Sequence, residues 1–270
     1  MEPQLTSTTV AGARIELVRC GKGRPILYLH PHIGMEQAGP FIKLMAANAE
    51  VIAPSHPGFG ESERPKGITS IDDIAYLYLE MLKDLDLHDV LLVGSSLGAW
   101  IALAMAVKSP ERFAQMVLAD PVGVKFSARD KLDIADIYAI PDKKFIELAY
   151  HDPSHAHRDY AAMSDEELMV VARNSESTAR FCWSPYMYDP RLRHLLYRLH
   201  MPTLILWGAS DRFAPLANGK NYVEAIVGAK FMEIANAGHF PHIEQPQATA
   251  EAIAAFIQSR SMAAKHKEIA

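Results

Sequence analysis

Three residues carry the chemistry this sequence can support. Ser96 lies in the string Gly94-Ser95-Ser96-Leu97-Gly98, a GxSxG pattern with the apolar run VLLV before it and the helix-like AWIALAMAVK after it. A serine held between a strand end and a helix start occupies a cramped turn, so small residues two positions to either side are needed. Its hydroxyl is protonated at neutral pH and needs a base, and the base needs a group that fixes its tautomer and balances its charge. A serine on such a turn takes these partners from loops further along the chain, the acid first and the histidine second. Asp211, ending TLILWGASD, and His239, in NAGHFPH, stand in that order, each after a strand-like run. The expectation is Ser96 as nucleophile, His239 as general base and Asp211 as the group that holds the histidine. The blander readings are a turn-capping aspartate and a loop histidine.

The elements that must position them follow from periodicity. Two β-rich segments, residues 5–10 and 13–20, come first, followed by the turn GKGRP, and a hairpin is expected there. Short apolar runs without polar alternation then recur at residues 25–30, 51–54, 90–94, 116–120 and 203–208, as strands covered on both faces read. Helical patterns lie between them, such as residues 71–85, which start after Ser70 with Asp73 three residues on, close to a capping box. Strand and helix in alternation predict a parallel sheet wrapped by helices. The alternation breaks from residue 122 to 200, where apolar residues keep helical spacing and Ser164 reads as a helix cap. The predicted organisation is therefore a core of residues 1–121 and 201–270 with a helical cap, residues 122–200, inserted after the sixth strand. In the second core part, residues 215–227 and 247–260 read as helices around a last strand at 230–235, with a frayed tail.

The chain resembles the α/β-hydrolase fold family, and within it the small capped serine esterases and carbon–carbon hydrolases. Beyond GSSLG, the blocks VIAPSHPGFGES, PTLILWGASDRFAP and NAGHFPHIEQP are similar to family blocks in order and spacing. The resemblance implies an α/β fold with a mostly parallel eight-stranded sheet flanked by helices, and a cap over the active site that selects substrate. It implies Asp120, which also follows a strand-like run, as a competing acid. It further implies an oxyanion hole from two backbone N–H groups, one on Leu97 and one in the loop HPHIGME after the third strand. That loop departs from the family pattern, because Pro31 stands where glycine is usual and has no N–H. By position the donor is His32, with Ile33 as the fallback; Ile33 is also a candidate pocket residue.

Phe181, Trp183, Tyr186 and Met187 either line an apolar acyl pocket or anchor the cap. Phe240, after the histidine, stands where tryptophan is common in enzymes that cleave carbon–carbon bonds in ring-cleavage products, which favours ester substrates. A serine at position 96 excludes the dehalogenases and epoxide hydrolases of this fold, whose alkyl-enzyme needs a carboxylate there. The expected activity is carboxylic ester hydrolysis, of a small or a polymeric substrate. The alternatives are cleavage of a diketone-like ring product, a ligand-binding member of the fold that keeps its triad, and a lyase.

The totals narrow the classes further. Among 270 residues, 49% are hydrophobic and 22% charged, an ordinary globular balance. A net charge of −5 gives no basic field for a phosphate backbone, so nucleic acid is not expected. The N-terminal segment lacks a basic start and an apolar core, and no apolar run is long enough to span a bilayer, so a cytoplasmic monomer or homodimer without membrane contact is expected. Two cysteines build no disulfide framework. His151, Asp152, His155 and His157 read as a solvated loop rather than a metal site, and GKGRP and HPGFG lack the spacing of phosphate loops, so neither metal nor cofactor is expected.

Overall fold

The computed structural model describes residues 2–128, 130–156 and 158–268, with side chains as far as residue 259. The chain runs β1 (Gln4–Val10), β2 (Ala13–Gly21), β3 (Arg24–Leu29), α1 (Gly39–Met45), β4 (Ala49–Pro54), α2 (Ile71–Asp84), β5 (Val90–Ser95), α3 (Leu97–Lys108) and β6 (Phe113–Ala119). After α4 (Asp142–Ala149) and α5 (Asp165–Cys182) it continues through β7 (Thr203–Gly208), α6 (Leu216–Ala225), β8 (Lys230–Ile234), α7 (Pro241–Glu244) and α8 (Pro246–Glu268). The strands form one eight-stranded sheet in the order β1-β2-β4-β3-β5-β6-β7-β8, parallel from β4 to β8.

The unbroken apolar strands arise because the sheet has two cores. Leu27, Leu29, Leu92, Met116, Leu118 and Ile205 point to the side of α2 and α3. Their strand neighbours Ile26, Tyr28, Leu91, Val93, Val117 and Leu204 point to the side of α1 and α8. Period-two alternation is therefore present in direction but absent in polarity. Helix α3 is buried along Leu97–Val107, so it has no polar face. Helix α2 keeps one, and starts on a full capping box in which Ser70 and Asp73 bond each other's backbone N–H.

Two expectations are corrected. The hairpin lies between β1 and β2, with Ala11 and Gly12 at positive φ, whereas the GKG turn carries the chain past β4, which pairs with both β2 and β3. Gly21 opens that crossing, since a Cβ there would stand 2.1 Å from the Ala49 carbonyl oxygen. The last helix extends past the expected bound of 260, because no glycine or proline follows Pro246 and α8 runs to Glu268. The short helix α1 had no clear signature: its seven residues cover barely two turns of the helical period.

Between β6 and β7 the described residues form helices and short 3-10 turns, with one isolated bridge, Gly123 to Tyr188. The buried stripe of α5 contains Asn174, Ser177 and Thr178 beside Phe181, and it is partly polar because it rests on loops rather than on the sheet. Ser177 Oγ donates to the Gly58 carbonyl at 2.8 Å and Thr178 Oγ1 to the His32 carbonyl at 3.0 Å. Asn174 bonds Glu36 and the Gly60 N–H. No helix among the described residues is long and apolar enough to cross a membrane.

A severe packing constraint is the approach of α3 to β3, where a Cβ on Gly98 would lie 2.0 Å from the Leu29 carbonyl oxygen. Gly98→Ala must separate two backbones and is expected to cost about 3 kcal/mol, read as a lower urea midpoint. A variant with an unchanged midpoint would show that the helix and strand can part freely.

Candidate active site

The serine turn is strained in the backbone itself. Ser96, between β5 and α3, has φ 51° and ψ −113°, a combination that non-glycine residues adopt only when the surroundings enforce it. Enforcement comes from a bond of its N–H to the Ala119 carbonyl at 2.9 Å, and from Ala99 and Trp100, whose N–H groups donate to its own carbonyl. Gly94 and Gly98 are required by contact, since a Cβ on Gly94 would meet the Gly98 carbonyl oxygen at 2.5 Å.

Two loops later in the chain bring the partners. Asp211 follows β7, and its Oδ1 accepts from the N–H groups of Phe213 and Ala214, both at 2.9 Å, which fixes the rotamer. Its Oδ2 lies 2.7 Å from His239 Nδ1, and His239 Nε2 lies 2.8 Å from Ser96 Oγ. The network assigns Nδ1–H as donor to the carboxylate and Nε2 as acceptor from the serine. His239 is 0% exposed and Ser96 1%. A serine bonded to a histidine bonded to a carboxylate, in a site shut from bulk water, has what is needed to make an alkoxide equivalent and to hold the resulting imidazolium.

Asp120, the competing acid, follows β6 but does not bond the histidine; its Oδ1 accepts from the Gly208 N–H at 2.9 Å, behind Asp211. Asp120, Asp211 and His239 are the one group of donors among the described residues close enough to hold a cation, and His239 Nδ1 and Asp211 Oδ2 are already spent on each other. His151 Nδ1 pairs with Ser210 Oγ at 2.8 Å, Asp152 accepts from Ser154 N–H, and His155 faces Glu244. These three residues join the inserted segment to the core, and His157 lies outside the described residues.

The loop after β3 makes a tight turn in which Gly34 N–H bonds the Pro31 carbonyl at 3.1 Å, with His32 and Ile33 at its centre. The central amides of such a turn are not used by the turn itself, and the Leu97 amide opens α3, where no preceding carbonyl of the helix can reach it. Beneath the turn, His30 and His56 stack with ring centroids 3.7 Å apart. His30 Nδ1 donates to the Pro31 carbonyl and its Nε2 accepts from His56 N–H. His56 bonds the His30 carbonyl through one nitrogen and Tyr78 through the other. Rings that each donate once and accept once must be neutral. Burial holds His30 down at about 4 and, with the charge that His239 would carry, His32 at about 3.

Of the expected pocket residues, Ile33 lines a cavity of about 260 Å³ together with His32, Phe145 and Arg158. Met187 lines another, of about 250 Å³, beside Val122 and Tyr222. Phe240 is fully buried against His32 and His239. Phe181 packs in the core beneath α5. Trp183 is corrected: at the end of α5 it is 62% exposed and stacks edge-on with Tyr138, so it belongs to the outer surface.

Sequence reading missed Glu244, although the block NAGHFPHIEQP contains it. Its buried carboxylate accepts from Gly238 N–H at 2.6 Å, His151 N–H at 2.8 Å and Asp152 N–H at 2.9 Å, tying the histidine loop to the inserted segment. Spacing alone gives no signal for a carboxylate whose partners are all backbone amides.

The chain is 26% identical over 287 residues to the 2-hydroxymuconate semialdehyde hydrolase of Pseudomonas sp. (strain CF600), covering 94% of each chain. It is 29% identical over 243 residues to the poly(3-hydroxyalkanoate) depolymerase of Ectopseudomonas oleovorans, covering 86% of this chain and 83% of that one. Its fold superposes on a thermophilic esterase from Thermogutta terrifontis with a TM-score of 0.74 and 23% identity, over 95% of this chain and 98% of that one.

Two outcomes follow from the buried groups. Glu244→Ala orphans three amides and is expected to cost about 3 kcal/mol, with Glu244→Gln intermediate; equal urea midpoints for all three proteins would remove its structural role. Because His30, His32, His242 and His56 have folded values below the unfolded one, the unfolded chain binds more protons as pH falls. Stability is then full above the unfolded value of about 6.5 and declines toward pH 4 by up to about 1.4 kcal/mol per unit for each ring. A urea midpoint that stayed level between pH 7 and 4.5 would contradict this. The model of the alpha/beta hydrolase fold matches residues 25–246, from β3 to the start of α8, and the chain is accordingly a member of the alpha/beta hydrolase fold family.

Proposed function

We propose that this hydrolase cleaves carboxylic esters through an acyl-enzyme on Ser96. The observation that carries the reading is the unbroken line from Ser96 Oγ to His239 Nε2 at 2.8 Å and from His239 Nδ1 to Asp211 Oδ2 at 2.7 Å. Ser96 Oγ attacks the ester carbonyl as His239 takes its proton, and the imidazolium is held by Asp211. The Leu97 and His32 N–H groups receive the oxyanion. His239 then gives the proton to the departing alcohol, and water, deprotonated by the same ring, releases the acid. His32 contributes its amide rather than charge, because burial holds its ring down at about 3 and the ring is neutral at neutral pH. Its ring contacts with Phe145, Phe213 and Phe240 form an apolar wall suited to a hydrocarbon group of the substrate.

A second reading is hydrolysis of a carbon–carbon bond in an acidic dienone. It is favoured by the names of full-length relatives, among them a 2-hydroxy-6-oxo-6-phenylhexa-2,4-dienoate hydrolase from Burkholderia cepacia, 28% identical over 269 residues. The cavity beside His32 also holds the cation Arg158, although Asp142 lines the same space. Phe240 in place of tryptophan supports the ester reading.

Nitrophenyl esters of increasing acyl length should be turned over by the wild type, with Ser96→Ala and Asp211→Asn lowering kcat/KM roughly a thousandfold or more. A ring-cleavage dienone assayed in parallel separates the two readings. Turnover of the dienone far above that of every ester would replace the first by the second.

A further inference from the structure

A second buried carboxyl, that of Asp120, lies close behind Asp211. Asp120 directly follows β6 with φ 44°, a left-handed conformation that its N–H bond to the Leu206 carbonyl at 3.0 Å holds in place. Its side chain is fully buried. Oδ1 accepts from Gly208 N–H, whereas Oδ2 has no hydrogen-bond partner among the described residues. Carboxylate oxygens of Asp120 and Asp211 lie with a His239 ring nitrogen inside a group spanning at most 4.8 Å.

Two ionised carboxylates buried side by side repel, and an ionised oxygen without a donor is left unsatisfied. A protonated Oδ2 removes both problems, since it becomes a donor and the acceptor in reach is Asp211. The titratable groups facing Asp120 are Asp211 from the loop after β7, Glu244 from α7 and His239 from the loop after β8. Burial, followed by the charge of Asp211, pushes the Asp120 carboxyl well above the ordinary carboxylate range, with Glu244 adding to the effect.

We propose that Asp120 carries a proton at neutral pH and donates it as a hydrogen bond to Asp211, so that the two carboxyls share one negative charge and Asp120 is a positioning residue for the His239–Asp211 bond. No bond other than the hydrogen bond forms, and the proton stays on Asp120 through the reaction. The added donor fixes the Asp211 carboxylate toward His239 Nδ1, where it holds the imidazolium. The consequence for catalysis rests on the serine-hydrolase reading above, but the shared proton does not.

The test is infrared spectroscopy of the intact protein in D₂O at a pH of about 8, where ordinary carboxylic acids are ionised. The wild type should retain the carbonyl stretch of a protonated carboxyl group. That band should shift when the aspartates carry ¹³C at the carboxyl carbon, which separates Asp120 from Glu244, and should vanish in Asp120→Asn. A wild type without the band, or a band indifferent to the aspartate label or to the substitution, overturns the proposal.

A second arm uses the pH dependence of Ser96 labelling by a fluorophosphonate. Asp120→Asn keeps a donor toward Asp211, so the acid limb should stay within roughly 0.3 unit of the wild type, whereas loss of an ionised neighbour would lower it by about a unit or more. Asp120→Leu should lose about tenfold in labelling rate, most of it recovered by the asparagine. If the band is present but Ser96 is inert to the probe, the shared proton stands and the nucleophile reading falls.

Discussion

The geometry of the whole site depends on how closely backbones approach one another at the carboxyl edge of the sheet. Helix α3 meets the end of β3 at Gly98, the end of β7 meets the histidine loop at Gly208, and that loop meets the end of α4 at Gly238. At Gly208 a Cβ would lie 1.8 Å from the Gly238 carbonyl oxygen, and at Gly238 another would lie 2.3 Å from that of Ala149. No side chain fits in such gaps, and interiors packed to crystal density do not yield to make room. The contacts bring Ser96, Asp211 and His239 from three separate loops to within single hydrogen bonds of one another.

Once the backbones are this close, their polar groups must be satisfied without water. Asp211 takes two amides, Glu244 takes three, and the stacked His30 and His56 settle the carbonyls of residues 30 and 31 together with the His56 amide. Each of these side chains is buried, so losing a partner leaves a group unpaired in a low-dielectric interior. The same bonds therefore stabilise the loops and hold the reactive groups at fixed distances, which is what preorganised electrostatic catalysis requires. The inserted segment takes part in this arrangement: the Ala149 carbonyl accepts the His239 N–H at 2.6 Å, and α5 lays a polar stripe on the loops carrying His32 and Gly58.

The fold was legible in the sequence because its signals are local. Strands buried on both faces must be apolar throughout, helices between them must show their own period, and a serine turn of this kind needs its two glycines at fixed offsets. The order of Ser96, Asp211 and His239 along the chain was likewise readable, since each follows the end of a strand-like run. The place of the hairpin was not, because GKG and the Ala11–Gly12 turn carry similar punctuation and only strand pairing distinguishes them.

Residue types and local spacing thus determined the sheet, the helices between β6 and β7, and the candidates Ser96, Asp211 and His239. Tertiary structure decided which carboxyl faces the histidine. Asp120 and Asp211 both follow strands, and only the sheet register and the two amides on Asp211 Oδ1 turn Asp211 to His239 and leave Asp120 behind it. Tertiary structure also gave Glu244 its three amides and put Trp183 outside while burying Phe240. Such choices depend on contacts between segments far apart in the chain, whose free energy appears only when the backbone between them has been placed.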